Sequence, residues 1–455
     1  MNNLDILLYK RNDVKVEYYD IGFVQKRIFL LSQRDKKISG WNISCILEIT
    51  KGELNYEKLN LALDKVINRH ESLRTSFHMI KGEVKQVIHD KVDFTVDFCN
   101  DGYGLEYYIN MLAKSFDLGC APLMWAKIAT TSDSKNYFII CLHHIIADEI
   151  SLKIILDEMI SYYHDAQVDK EPIQYKEFSA LQNKNYYSGS MKQQEDYWLH
   201  VFNRDLAEQK LITLYHSTRE DVSGGDRLFF DLGMDLSAKV RKLVQEKHIT
   251  CYWYLMSIFF VFMSKHLYLD DILIGVTISG RYYPRFAKTV GMFLNILPLR
   301  ICVDQNIQFM KFIDTVKKCF IEAYENQEYP FECLCEKLGK DGKVLELNTS
   351  FQMHTTVLES VEVGNNIKLK PIDNFYKTSV QDIVLGLYEK ENNICFYLNY
   401  NISKFKKETI ETLIQSYKKL VRMVINNPNI MINDLVVDEE RCHTLINNFI
   451  KPFEE

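Results

Sequence analysis

Apolar and polar positions alternate along this chain with two different periods. "YEKLNLALDKVINRHESL" puts Leu59, Leu63, Val66 and Ile67 on one face, the spacing of an amphipathic helix. "NYFIICLHHII" is instead a continuous apolar run rich in β-branched residues, which predicts a strand buried on both faces. "ISLKIILDEMISYYHDA" returns to helical spacing. Between about His164 and Met191 the sequence turns polar, and this stretch is the best place for a boundary between lobes. The second part repeats the style. The pattern predicts a helix from about Ser237, a buried helix from Cys251 with Thr250 near its start, strands "DILIGVTIS" and "MFLNILPLRICV", and a helix from Phe309. A late strand, "NICFYLNYN", precedes the helix "KKETIETLIQSYKKLVRMVI". No short-period repeat is present, which excludes solenoids and coiled coils. Mixed elements in two comparable halves predict an α/β (α+β) sandwich built twice, residues 1–180 and 181–455, with a cleft between them.

Composition changes this picture little. Of 455 residues, 47% are hydrophobic and 25% charged, ordinary for a globular enzyme. A net charge of −6 gives no reason to expect nucleic acid or an anionic membrane as partner. It suits small molecules or another protein. The scattered cysteines have no zinc-site spacing, and their odd count of 11 fits reduced thiols. "MNNLDILLYKRND" has too short an apolar run for a signal peptide. "CYWYLMSIFFVFMSKHL" holds about twelve apolar residues in its core against the ~20 that span a bilayer, so it reads as a buried helix. The expected location is the cytoplasm.

Candidate chemistry concentrates in "CLHHIIADEIS", residues 141–151. Successive side chains on a strand point to opposite faces, so His143 and His144 cannot both face one small site if both lie on the strand. That argues against a metal centre built by this pair. An isolated histidine in an apolar run is usually a core residue. An adjacent pair at a strand end, followed by Asp148 and a helix, points towards chemistry, because strand-to-helix corners expose side chains to clefts. The pattern does not choose between the two rings, since both faces of the run are apolar.

"HHIIADEIS" resembles the HHxxxDG motif of the condensation domains of nonribosomal peptide synthetases, within the superfamily resembling chloramphenicol acetyltransferase. Other segments resemble that family's motifs in order: "FVQKRIFLL" from Phe23, "RHESLRTSF" from Arg69, "YKEFSALQ" from Tyr175, "VGMFLNILPLR" from Val290 and "NQEYPFE" from Asn326. The resemblance covers nearly the whole chain and implies a free-standing condensation domain. It implies two chloramphenicol acetyltransferase-like lobes in a V, with a tunnel between them. Donor and acceptor would meet there at His144, the catalytic residue, with His143 structural. Asp148 is implied to be a structural ion-pair member, with Arg281 as its preferred partner and Arg300 as the other candidate. Arg69, His70, Glu71 and Arg74 are implied to be structural or site-shaping.

The chemistry implied is attack of an amine on a thioester, presented by the phosphopantetheine arm of a partner acyl or peptidyl carrier protein. The acceptor is a small amine or a second carrier-bound group. No bound cofactor and no metal is expected, because a thioester is already activated and alignment supplies much of the rate. The sequence departs from the motif at Glu149, which replaces its glycine, and at Ile150. Glu149 is expected to point to solvent, to bind a cationic acceptor, or to mark a silent module that recruits partners. Ser151 and Asn295 join Glu149 as candidate acceptor-site residues. An alcohol acceptor or an acyl-coenzyme A donor is the alternative enzyme reading.

Overall fold

The computed structural model describes residues 17–34, 41–168, 170–206, 209, 224–353, 360–363, 366–372, 379 and 381–437. The amino-terminal stretch 1–13, read above for a signal peptide, lies outside them. The apolar run Asn136–His143 is the fourth strand of a six-stranded sheet. Its order is Val361–Val363, Ile367–Pro371, Asn42–Lys51, Asn136–His143, Met124–Thr130 and Asp97–Cys99. Both faces of the run are covered, as its composition predicts. Phe138, Ile140 and Leu142 pack into a core with helices Tyr56–Arg69 and Glu149–Tyr163. Tyr137, Ile139 and Cys141 pack on the other side with Tyr108 and Ile109. Helix Tyr56–Arg69 buries Leu59, Leu63, Val66 and Ile67, and the side chain of Asn55 caps it by accepting from Lys58 N. Burial of each such side chain stabilises the fold by roughly 1.5–3 kcal/mol.

The second sheet is also mixed and six-stranded: Asn295–Cys302, Asp271–Ile278, Thr349–Met353, Ile383–Lys390, Asn393–Asn401 and Gly225–Asp231. Against it lies Cys251–Leu267, the apolar helix expected from sequence, capped by Thr250 Oγ1 and buried from Tyr254 to Ser264. Among the described residues no helix is long and apolar enough to cross a membrane. Among the described residues the fold is thus mixed α/β: two six-stranded sheets with helices packed on each, and a third sheet of three strands, Tyr18–Asp20, Glu83–Ile88 and Thr75–Ile80.

Three features depart from a simple cut near residue 180. The polar stretch expected to be a boundary contains the helix Tyr175–Tyr187, which buries Tyr175, Phe178, Ser179 and Gln182. Tyr175 and Gln182 read as polar but are spent inside: Tyr175 packs edge-on against Phe293, and Gln182 accepts from Phe23 N at 3.1 Å. Strands Val361–Val363 and Ile367–Pro371 come from the second part of the chain yet extend the first sheet, the latter pairing with Asn42–Lys51. The segment Thr289–Phe293 is bound along its length to the first half. Thr289 Oγ1 donates to Ile173 O (2.6 Å), Ser72 Oγ to Val290 O (2.7 Å), Gly291 N to Ser151 Oγ (3.0 Å) and Tyr175 OH to Met292 O (2.5 Å). At Gly291 a Cβ would lie 2.0 Å from the Tyr175 ring, so only glycine allows this approach.

Candidate active site

The strand ends at His143, and His144 opens the turn that leads to helix Glu149–Tyr163. The two rings therefore part company for a simpler reason than alternation: only one belongs to the strand. His143 is buried, its Nδ1 accepts from Ile145 N at 3.2 Å, and its ring meets Phe116 edge-on. Burial and the neighbouring His144 push its pKa down to about 3, so it is a neutral imidazole held in the structure. His144 is half-buried. Its backbone N donates to Trp41 O at 2.6 Å, and its Nδ1 lies 2.7 Å from Ala147 O. A carbonyl oxygen only accepts, so Nδ1 carries the proton of the neutral ring and Nε2 is its basic nitrogen.

Asp148 closes the turn. It is fully buried and caps the helix by accepting from Ser151 N at 2.7 Å. Arg281 Nη2 donates to both Asp148 oxygens, at 2.9 and 3.0 Å, while Nη1 donates to the carbonyls of Phe286 and Thr289. The guanidinium lies 4.0 Å over the Phe293 ring. Gly280, just before it, has φ of +64° and its missing Cβ leaves room for Phe293 O. The other candidate partner, Arg300, is committed to Asp271, with Nη2 at 2.7 Å from Oδ2. Removing one member of a buried pair strands the other's charge, which costs about 3–5 kcal/mol.

Two expected acceptor-site residues are occupied elsewhere. Ser151 is wholly buried, donates to Asp148 Oδ1 at 2.7 Å and accepts from Arg281 and Gly291. Its hydroxyl joins the two halves and is closed to an acceptor. Asn295 is buried too: Nδ2 donates to the carbonyls of Gln327 and Tyr329, and Oδ1 accepts from Phe331 N at 3.3 Å. It clasps the "NQEYPFE" loop rather than facing a ligand. Glu149, by contrast, begins the helix and is half-buried, where the helix dipole favours its carboxylate.

The "RHESLR" residues form a separate buried network. Glu158 accepts from Arg69 and from His70 Nε2, the latter at 2.8 Å. Arg69 also reaches Glu171 and Lys170 O, Glu71 pairs with Lys176, and Arg74 binds the carbonyls of Ile67 and His89. Sequence reasoning missed Trp41 and Ala147, whose carbonyls hold the backbone and ring of His144; carbonyl partners leave no mark in residue identity. Among the described residues no three His, Cys, Asp or Glu side chains could share a metal ion, and no disulfide joins any of the ten described cysteines.

A family model described as a condensation domain matches residues 15–445. Gramicidin S synthase 2 of Brevibacillus brevis is 32% identical over 435 residues, 94% of this chain and 10% of that protein. The chain thus spans about a tenth of that curated relative. The condensation domain of the monacolin K polyketide synthase superposes with a TM-score of 0.80 at 17% identity, covering 92% of this chain and 100% of that one. The X-domain solved in complex with OxyB from teicoplanin biosynthesis gives 0.78 at 19% identity, covering 93% and 97%. At these identities the two structures speak to the fold.

Proposed function

Because the chain belongs to the condensation-domain family, we propose that it joins a carrier-bound acyl or aminoacyl thioester to an amine, forming an amide. The observation that carries this reading is the His144 ring, half-open and held through Nδ1 so that Nε2 is left basic. The amine nitrogen attacks the thioester carbon, the C–S bond breaks, and the thiol returns to the carrier's arm. An α-amine with pKa about 8 is roughly a tenth neutral at pH 7, so no strong base is needed before attack. The adduct nitrogen is positively charged, and Nε2 of His144 takes its proton. His143, held neutral by burial, takes no part in that transfer.

The phosphopantetheine arm enters as part of the donor substrate, brought by a carrier protein, and the acceptor is a small amine or a second carrier-bound group. Two lobes in a V with a tunnel between them would admit donor and acceptor from opposite ends. The lobe limits at 180/181 stay part of this proposal, with strands Val361–Val363 and Ile367–Pro371 assigned to the first lobe's sheet. A cytoplasmic location accords with reduced cysteines and carrier-dependent chemistry.

One observation favours a second reading. Glu149 stands where the motif has glycine, half-buried at the start of the helix beside His144. An X-domain of the same fold has been solved in complex with another protein, OxyB, and a recruiting module would tolerate such a change. The test is to incubate an acyl-loaded carrier protein with this protein and a mixed panel of amines and alcohols, following the carrier by intact mass spectrometry. Amine-dependent unloading supports condensation, and unloading only by alcohols would move the reading to ester formation. Carrier binding without unloading by any acceptor would favour recruitment.

A further inference from the structure

The structure assigns Gln25 as a positioning residue for His144, a role distinct from capping its own helix. Gln25 lies in the first turn of helix Phe23–Arg34 and is 2% exposed. Its Oε1 accepts from Gly22 N at 3.0 Å, which fixes the amide's orientation. Its Nε2 then has one direction left, and it donates to the carbonyl of Ile145 at 2.9 Å.

That carbonyl is the middle of the histidine turn. Ile146 N returns to His143 O at 3.1 Å, and Ile145 N donates to the His143 ring. The peptide between Ile145 and Ile146 is therefore gripped from both sides. Its tilt sets where Ala147 O stands, and Ala147 O holds the Nδ1 proton of His144. Gln25 thus acts on Nε2 through two bonds: side chain to turn, and turn to ring. Precedent in physical terms is the general requirement that a reacting group's support be fixed to within a fraction of an ångström.

The same helix start offers its own control. Gln182 accepts from Phe23 N at 3.1 Å, one residue along from the Gly22 contact, and its other side-chain partner is Tyr282, outside the turn. If Gln25 served only to tie down the helix, Gln25→Met and Gln182→Met would behave alike.

This inference rests on the reading of His144 as proton acceptor only for its kinetic part, so the closing experiment has two arms. In the first, histidines in the full chain are labelled with ¹³C and ¹⁵N, the His144 signal is assigned through His144→Asn, and the tautomer of its neutral ring is read by NMR. Wild type and Gln182→Met are expected to show the Nδ1–H tautomer, and Gln25→Met a mixture. Gln25→Glu keeps the acceptor for Gly22 N and loses the donor, so it should reproduce the mixture even if the apolar variant fails to fold. In the second arm, carrier unloading by Gln25→Glu should show kcat about tenfold to a hundredfold lower with the amine KM little changed. An unaltered tautomer in both Gln25 variants, or the same mixture in Gln182→Met, would overturn the assignment. A wild type that unloads no carrier would instead sink the condensation reading and leave the tautomer arm to decide on Gln25.

Discussion

Two clusters of the same residue types sit along one helix, Glu149–Tyr163. At its start, His144 leads into Asp148 and Arg281; towards its end, Glu158 gathers His70 and Arg69. Both contain a histidine, an arginine and a buried carboxylate. They differ in what the histidine does with its ring. His70 is 1% exposed and spends Nε2 on Glu158. His144 is half-open and spends Nδ1 on a backbone carbonyl, which leaves Nε2 basic. They differ also in what the arginine joins. Arg69, Glu158 and Glu171 all belong to the first half, whereas Arg281 comes from the second half and docks on Asp148 beside the bound segment Thr289–Phe293. The lesson is that residue type does not separate a candidate catalytic cluster from a structural one. His70 also has an unpartnered ring nitrogen, Nδ1, but it is buried; a half-exposed ring and the joining of two halves make the distinction.

The largest effect on stability is expected at the joint. Arg281→Ala strands a fully buried carboxylate and should lower the unfolding free energy by about 3–5 kcal/mol, read from urea unfolding. Glu158→Gln sharpens the contrast. Arg69 keeps Glu171 and Lys170 O as partners, so the loss should be smaller, about 1–3 kcal/mol. A loss at Glu158 as large as at Arg281 would break the distinction between a joint and a local brace.

Acid should expose the neighbouring ring. His143 is held at about 3 when folded, against an ordinary value near 6.5. Below pH 6.5 the unfolded chain takes up a proton that the folded chain refuses until about pH 3. Stability from this group is therefore full above 6.5 and falls as pH drops through that window, by up to about 1.4 kcal/mol per pH unit. His266, pushed down to about 4 by burial, adds a loss of the same sign. His143→Gln should flatten the dependence of the urea midpoint on pH between 6.5 and 4; an unchanged slope would contradict a neutral buried His143. The smallest expected effect is Glu149→Gly. At the first position of the helix it should cost under about 1 kcal/mol, and a changed ranking of amine acceptors would place the carboxylate at the acceptor.

Much of this was legible beforehand, and the failures share a physical cause. Helix Tyr56–Arg69 and strand Asn136–His143 could be read because local periodicity records burial by nearby elements. Helix Tyr175–Tyr187 was read as a boundary because tyrosine, serine and glutamine look polar. Tyr175 and Gln182 are buried by hydrogen bonds to Met292 O and Phe23 N, distant in sequence. Strands Val361–Val363 and Ile367–Pro371 are short, and their attachment to the first sheet is a long-range pairing with no local trace. At the site, the histidine motif marked a strand end followed by a helix, and the structure has that corner between His143 and Glu149. It could not show that Ser151 and Asn295 face inward, because a buried hydroxyl or amide differs from an exposed one only in its partners.

The central claim is that Nε2 of His144 serves the reaction while the surrounding cluster serves the fold. The most direct measurement is the amine-dependent unloading rate of an acyl-loaded carrier by His144→Ala, taken beside its urea midpoint. The account predicts a rate lower by about a hundredfold to ten-thousandfold and a midpoint close to wild type. Unloading at the wild-type rate, or a rate that falls only in step with a lost fold, would contradict it.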